Sequence, residues 1–370
     1  MQNLESVSAP FCRIVYEDLN LNSHEQVKNF LLSQGWEPTQ WNRVREEDGT
    51  WRTTSPKLTE DSYASIKGDL GRLVAKRNIL VHRRRFIQNY DDPENKGILG
   101  HVRADGRIAA TGVLCNTPTG RTTHRGAACN VPKASEKVPY GREIRSLYSI
   151  RDKENFILLG ADLVQIEALI TAHYSSLYDG GEYWRRLQEV KDIHTYNAKT
   201  IGRDRDTAKS FQYALFYGAQ APKLASIIGC TVKEAEDILK KFWDENMGIY
   251  HLIKNLEEQY NEMGFIVGLD GRKLHIRAKY KLLNSLIQTG AGIIWKKWGC
   301  LANKRLRESL IDCTQIIAYH DEYEYRCEKI AVPLARSIIS TSAVDAGLYF
   351  NLKVPISVDI KEGYTWAEVH

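Results

Sequence analysis

Two acids and one basic-aromatic stripe are the residues of this 370-residue chain whose types and spacing could do chemistry. Asp162 closes the apolar run "NFILLGAD", and Asp321 follows His320 inside "TQIIAYHDEYEYRC". Carboxylates brought together from two such places could hold a pair of Mg²⁺ ions about 4 Å apart, the arrangement that runs in-line phosphoryl transfer. The segment "RDTAKSFQYALFYGA" supplies what metals do not. Its Arg205, Lys209, Tyr213 and Tyr217 fall four apart, so on a helix two cations and two aromatics share one slowly drifting stripe. Arginine meets triphosphate oxygens as a bidentate fork and lysine as a point charge, while Tyr213 offers a flat face for a sugar and base. Each acid alone reads equally well as a turn or cap residue, and the stripe alone as an amphipathic surface helix. The phosphate-chemistry reading rests on their combination.

The elements that must position these groups follow from period and punctuation. "NFILLGAD" predicts a buried strand that delivers Asp162 to its end. "TQIIAYHDEYEYRC" alternates on both sides of His320-Asp321 and predicts a hairpin with that pair at the bend. In the stripe segment, Ala208, Phe211 and Leu215 mark the core-facing side. The pattern is helical throughout from about residue 165 to 260. Short strands return from Gly264 to His275 around an Asp270-Gly271 turn, and "LLNSLIQTGAGIIWKKW" restores the helical period. A helix in "AVPLARSIISTSAVDAGLYF" and a last short strand finish the chain. The first hundred residues read as helical and polar, with one helix opening at Ser23 and a second at Thr59 or Asp61. That second helix carries Arg72, Lys76, Arg77, Arg83, Arg84 and Arg85, a run that by itself suits a solvated face. "DGRIAATGVLCNTPTGRTTH" reads as strands and turns. No repeat or low-complexity linker separates these parts, so two or three interleaved subdomains are expected.

Bulk properties exclude several classes. At 43% hydrophobic and 26% charged, the chain can bury a large core. A net charge of +5 permits a polyanionic partner without requiring one. The seven cysteines are scattered singly, with no CxxC pair and no zinc spacing, which fits a reduced, cytoplasmic setting. The opening "MQNLESVSAPF" has no secretory pattern, and no apolar run reaches the ~18 residues of a membrane span.

The stripe segment resembles the fingers helix of family A DNA polymerases: Arg, three residues, Lys, and two aromatics ending in Tyr-Gly. "ADLVQIEAL" resembles their first carboxylate motif and "AYHDEYEY" their His-Asp-Glu motif. The likeness continues through "TGRTTH", "CNVP", "DIHT", "GLDGRKLHIR", "LLNSLIQTGAG" and "WAEVH", covers nearly the whole chain, and has the flavour of phage replicative enzymes. It implies an α+β right-hand fold with an antiparallel-sheet palm, helical fingers and a partial thumb. Residues 1–102 would be a thumb remnant with connecting helices, 103–185 the first part of the palm, 186–262 the fingers, and 263–370 the second part of the palm.

The resemblance also implies roles. Asp162 and Asp321 would bind two Mg²⁺ ions, with Mn²⁺ able to substitute, helped by the Leu163 carbonyl and supported by Glu322. Arg205, Lys209 and His194 would grip the incoming deoxynucleoside triphosphate, and Lys209 would protonate the leaving pyrophosphate. Tyr213 would pack on its sugar and base, Tyr217 with Gly218 would stand near the templating position, and Gln165 would belong to the same pocket. Glu167 would fill the space that a ribose 2′-hydroxyl needs. Arg121, Asn130, Asn284, Gln288 and His320 would touch the minor-groove side of primer-template DNA, where acceptors are common to all base pairs. His370 would be held near the active centre. Val164, Leu169, Cys129 and Tyr280 depart from the residues usual at their places and put local packing and fidelity contacts in question.

The chain begins close to the segment "YEDLNLNSHEQVKNFLLSQGWEPTQWN", so no proofreading domain is expected within it. A separate chain carrying exonuclease and upper thumb, or a processivity factor, is the expected partner. Two other readings stay open here. A single-subunit RNA polymerase shares the stripe and the His-Asp bend but is disfavoured by Glu167 and Glu322. A non-catalytic nucleic-acid-binding subunit would not need Asp162, Asp321, Arg205 and Lys209 together.

Overall fold

The structure, a computed structural model, describes residues 18–46, 50–63, 65–90, 96–126, 131–136, 138–190 and 192–370. The chain forms two compact units, residues 1–100 and 101–370. Among the described residues no helix is long and apolar enough to cross a membrane.

In the first unit, α1 (His24–Ser33) starts where the Ser23 side chain accepts the Gln26 N–H, the cap expected from the sequence. An antiparallel pair follows, β1 (Trp41–Arg45) and β2 (Trp51–Pro56), where a helical region was expected. The long second helix is in fact two, α2 (Glu60–Tyr63) and α3 (Asp69–Ile87). Gly68 breaks it with φ +77°, a left-handed angle that glycine adopts freely and that no α-helix continues through. The short α4 (Gly97–Gly100) closes the unit. Its core is small: Val27, Leu31, Trp36, Ile66, Val74 and Ala75. The basic run of α3 is not a uniformly solvated face. Arg83 is buried, and Arg77 donates to the Leu21 carbonyl at 3.0 Å and to Asn22 Oδ1 at 2.7 Å.

The second unit opens with the hairpin β3 (Ala110–Val113) and β4 (Thr123–Gly126), then α5 (Gly141–Ser146) and β5 (Phe156–Leu163). Among the described residues seven helices follow, as the helical period of residues 165–260 led us to expect: α6 (Ile166–Asp179), α7 (Glu182–Glu189), α8 (Ile193–Ile201), α9 (Arg205–Phe216), α10 (Ala221–Ile228), α11 (Val232–Glu245) and α12 (Met247–Met263). The short pair β6 (Ile266–Val267) and β7 (Lys273–Leu274) leads into α13 (Leu282–Glu308). The predicted hairpin is β8 (Cys313–Tyr319) with β9 (Glu322–Glu328), and α14 (Val332–Tyr349), β10 (Val358–Gly363) and α15 (Trp366–Val369) end the chain.

One antiparallel sheet, ordered β10-β5-β9-β8, therefore draws its strands from both sides of the helical run. Its pleat sends Leu159, Ala161, Leu163, Tyr323 and Tyr325 into the main core against α13 and α14. There Trp295 stacks on Tyr323 with ring centroids 4.7 Å apart, and Trp298 donates its indole N–H to the Ile339 carbonyl at 2.9 Å. A second core fastens the middle helices. In it, Ala208 and Phe211 of α9 are wholly buried beside Leu224, Ile228 and Phe242, and Leu215 packs at its edge. The apolar side of α9 is thus fixed inward, which obliges Arg205, Lys209 and Tyr213 to face out.

Candidate active site

β5 holds Asp162 on the pleat opposite Glu322 of β9 and Asp359 of β10. One residue later, the Leu163 N–H donates to the Asp321 carbonyl at 3.3 Å, tying the end of β5 to the bend between β8 and β9. His320 makes that bend with φ +53°, an angle uncommon for a residue with a Cβ, so the turn is held by its surroundings. Its ring lies 4.1 Å from Tyr319 and 5.9 Å from His124 between centroids. Gln165, at φ +49°, turns the chain from β5 into α6.

A cavity of about 380 Å³ opens over these strand ends. Asp162, Leu163, Gln165, Glu167 and Asp321 line one side, and His194, Arg205, Lys209 and Tyr213 line the other. Nine residues singled out in the sequence therefore share one pocket. Glu322 stands behind it, buried, and takes hydrogen bonds from the Trp366 indole at 3.2 Å and from His370 Nδ1. Tyr217 and Gln288 meet through a 2.9 Å hydrogen bond from the amide to the phenol. Gln288 and Asn284 lie four apart on α13, both half-buried. Gly218 follows α9 at φ +85°, so close to Tyr280 that a Cβ would lie 2.5 Å from the Tyr280 carbonyl. Arg121 pairs with Glu167. Asn130 and Cys129 lie outside the described residues.

Burial and like charge set the electrostatics of the pocket. Partial desolvation within the pocket, then the charges of Asp321 and Glu322, push Asp162 up to about 7, although the residue itself is exposed at the cavity mouth. Burial raises Asp321 as well. Burial lowers His194 and His320, which favours their neutral forms. Among the described residues, no group of three or more His, Cys, Asp or Glu side chains is arranged as a ready-made metal cage.

With this geometry in place, the chain can be set beside known proteins. Residues 1–368 match the profile of DNA polymerase family A. The chain belongs to that family. It is 24% identical to the DNA-directed DNA polymerase of Escherichia phage Phieco32, covering 100% of this chain and 73% of that enzyme. Identity to the corresponding enzyme of Escherichia phage T7 is 25%, covering 98% of this chain and 54% of the relative. For DNA polymerase I of Lactococcus lactis subsp. cremoris it is 25%, covering 99% and 42%. The POL domain of Pol1 from M. smegmatis, solved in complex with DNA primer-template and dNTP, superimposes with a TM-score of 0.75 at 20% identity over 95% of this chain and 62% of that one. The mixed helix and sheet fold of a family A polymerase POL domain is therefore the fold of this chain.

In this family A polymerase chain the structure adds residues that sequence reasoning passed over. Asp192 caps α8 by accepting the His194 and Thr195 N–H groups and also receives Arg205 Nε at 2.6 Å and Nη2 at 3.3 Å. Burial would raise the Asp192 carboxyl, but the Arg205 and Thr195 hydrogen bonds outweigh it and hold the group well below the usual carboxylate range. Gln212, buried on α9, accepts from Asn197 at 2.9 Å and lies 3.0 Å from His194 Nδ1. The signal for Asp192 was present: "DIHT" has the Asp-x-x-Thr form of a helix start.

Proposed function

We propose that this chain extends a DNA primer on a template strand, adding deoxynucleotides by phosphoryl transfer in the pocket between β5, the β8–β9 bend and α9. The observation that carries this reading is the joint lining of one cavity by Asp162 and Asp321 on one side and Arg205, Lys209 and Tyr213 on the other. The family and the primer-template and dNTP held by the M. smegmatis neighbour support it.

The residues fit divalent cations: Asp162 and Asp321 line one pocket, and burial together with the neighbouring charges of Asp321 and Glu322 raises Asp162, a cost that a cation would relieve. The Asp162 and Asp321 carboxylates and the Leu163 carbonyl would hold them. When bound, two Mg²⁺ ions lower the pKa of the primer hydroxyl and steady the charge on the leaving pyrophosphate. The chain's own residues do the positioning. Arg205, braced by Asp192, takes the triphosphate together with Lys209 and His194, and Lys209 protonates the departing pyrophosphate. Tyr213 packs on sugar and base, with Gln165 at the pocket edge. Glu167, held by Arg121, occupies the space of a 2′-hydroxyl, so deoxynucleotides are selected. Arg121, Asn130, Asn284, Gln288 and His320 contact the primer-template, with Tyr217 and Gly218 at the templating base. In these terms residues 1–102 act as thumb, 103–185 and 263–370 as palm, and 186–262 as fingers, working in the cytoplasm.

Primer extension tests the proposal. The wild type in Mg²⁺ is expected to extend a primer with deoxynucleotides, and Asp162→Asn and Asp321→Asn to lose roughly a thousandfold or more. No extension by the wild type would favour a binding subunit, and equal use of ribonucleotides would favour an RNA polymerase. The same reaction without nucleotides reads any removal from the primer 3′ end, and an intact primer is expected.

A further inference from the structure

Gln212 is a buried amide on α9, one residue before Tyr213, and no role assigned above employs it. A primary amide inside a core costs free energy unless its polar atoms are matched. Its matches run to α8. Gln212 Oε1 accepts from Asn197 Nδ2 at 2.9 Å and lies 3.0 Å from His194 Nδ1, and Asn197 is itself buried. Asn197 follows His194 by three residues, so both side chains leave one face of α8 and converge on a single oxygen.

That convergence locates a proton. Turned over, the Gln212 amide would set its N–H groups against the Asn197 N–H, so Asn197 keeps Oε1 toward the imidazole. An acceptor at that distance calls for a hydrogen on Nδ1. Nε2 is then the nitrogen left for the cavity that His194 lines with Arg205, Lys209 and Tyr213. The other groups nearby leave the ring nitrogens alone. Asp192 takes the His194 main-chain N–H at 3.4 Å and Arg205 Nε at 2.6 Å, and the Tyr213 ring stands 5.8 Å away between centroids with Lys209 Nζ over it. The Tyr183 hydroxyl, also buried, senses the Gln212 amide but makes no hydrogen bond to a described residue.

We propose that Gln212 is a positioning residue: its carbonyl oxygen, held in place by Asn197, fixes the proton of His194 on Nδ1 and aims Nε2 at the incoming triphosphate. The charges around the ring agree. Burial lowers His194, Asp192 and the Gln212 hydrogen bond raise it, and Lys209 and Arg205 lower it, which leaves a neutral ring in the empty pocket. An acceptor at Nδ1 also tolerates a second proton on Nε2, where a phosphate oxygen would draw one; a donor at Nδ1 would oppose it. The inference rests on the polymerase reading for the triphosphate and on the geometry alone for the proton.

The test uses the full chain. Gln212→Met removes the acceptor at similar length, Gln212→Glu keeps an oxygen facing Nδ1, and His194→Ala identifies the signal that belongs to this ring. Nitrogen NMR of the histidine-labelled wild type at alkaline pH should show a protonated Nδ1 and a bare Nε2 for that signal. Q212E should keep the pattern and Q212M should lose it. In primer extension, Q212M should raise the nucleotide KM about tenfold with kcat within about threefold, and in a His194→Ala background it should add less than about twofold. The second comparison separates an effect exerted through His194 from general loosening of α9. A proton on Nε2 in the wild type, an unchanged pattern in Q212M, or the same KM increase with and without His194 would overturn the proposal. Should Q212M fail to fold, the wild-type spectrum decides. A wild type that extends no primer would sink the polymerase reading instead, and the position of the proton would then judge Gln212 by itself.

Discussion

Asp162 concentrates the chemistry of the site in one number. Its carboxyl is raised from 3.8 to about 7, so between those values the native state holds a proton that the unfolded chain has released. Stability from this group therefore falls as pH rises through that window, because ionisation must then occur beside Asp321 and Glu322. The metal-free melting temperature is expected to decline more steeply from pH 5 to 7.5 in the wild type than in D162N. Added Mg²⁺ should raise it more at pH 8 than at pH 5. Thermal scans across pH with and without chelator measure both, and identical slopes in the two proteins would contradict the assignment. Side-chain identity was readable at this scale, but pairing was not. Arg121 and Glu167 are 46 residues apart, and Arg205 and Asp192 are 13 apart. Their partnership is made by tertiary packing that no local period encodes.

Elements carry the next level of constraint. The turn at His320-Asp321 and the inward side of α9 could be read because alternation and helical period are short-range patterns. The β1–β2 pair was missed although its strands flank an Asp-Gly signal, and the break at Gly68 was hidden inside a sequence otherwise periodic enough for one helix. Gly160 shows how tightly β5 and α15 are fitted. Gly160→Ala would drive a methyl group to within 2.8 Å of Val369 Cβ and 2.3 Å of its carbonyl oxygen. A cost of about 1–3 kcal/mol in denaturant unfolding is expected, with α15 displaced. Phe211→Ala, which empties the core under α9, should cost about 3–5 kcal/mol and raise the nucleotide KM by loosening Arg205 and Lys209. Denaturation curves and steady-state kinetics test the two variants.

Across the whole molecule, each compact unit has its own core, so damage should stay local. Leu31→Ala, in the small core of residues 1–100, is expected to lose about 2–5 kcal/mol of that unit's stability. Amide exchange in β5 and β9 should remain protected in the same protein, as hydrogen-exchange mass spectrometry can show. Spread of the exchange into those strands would mean that the two cores melt together.

The sheet order has a consequence for synthesis. β5 hydrogen-bonds to β9 on one side and β10 on the other, and both lie later in the chain than helices α6 to α12. On the ribosome, "FILLGADL" is thus made well before either neighbour exists. Until translation passes Glu328, this apolar ribbon must wait with bare edges, which makes the nascent polypeptide a natural client for a holding chaperone.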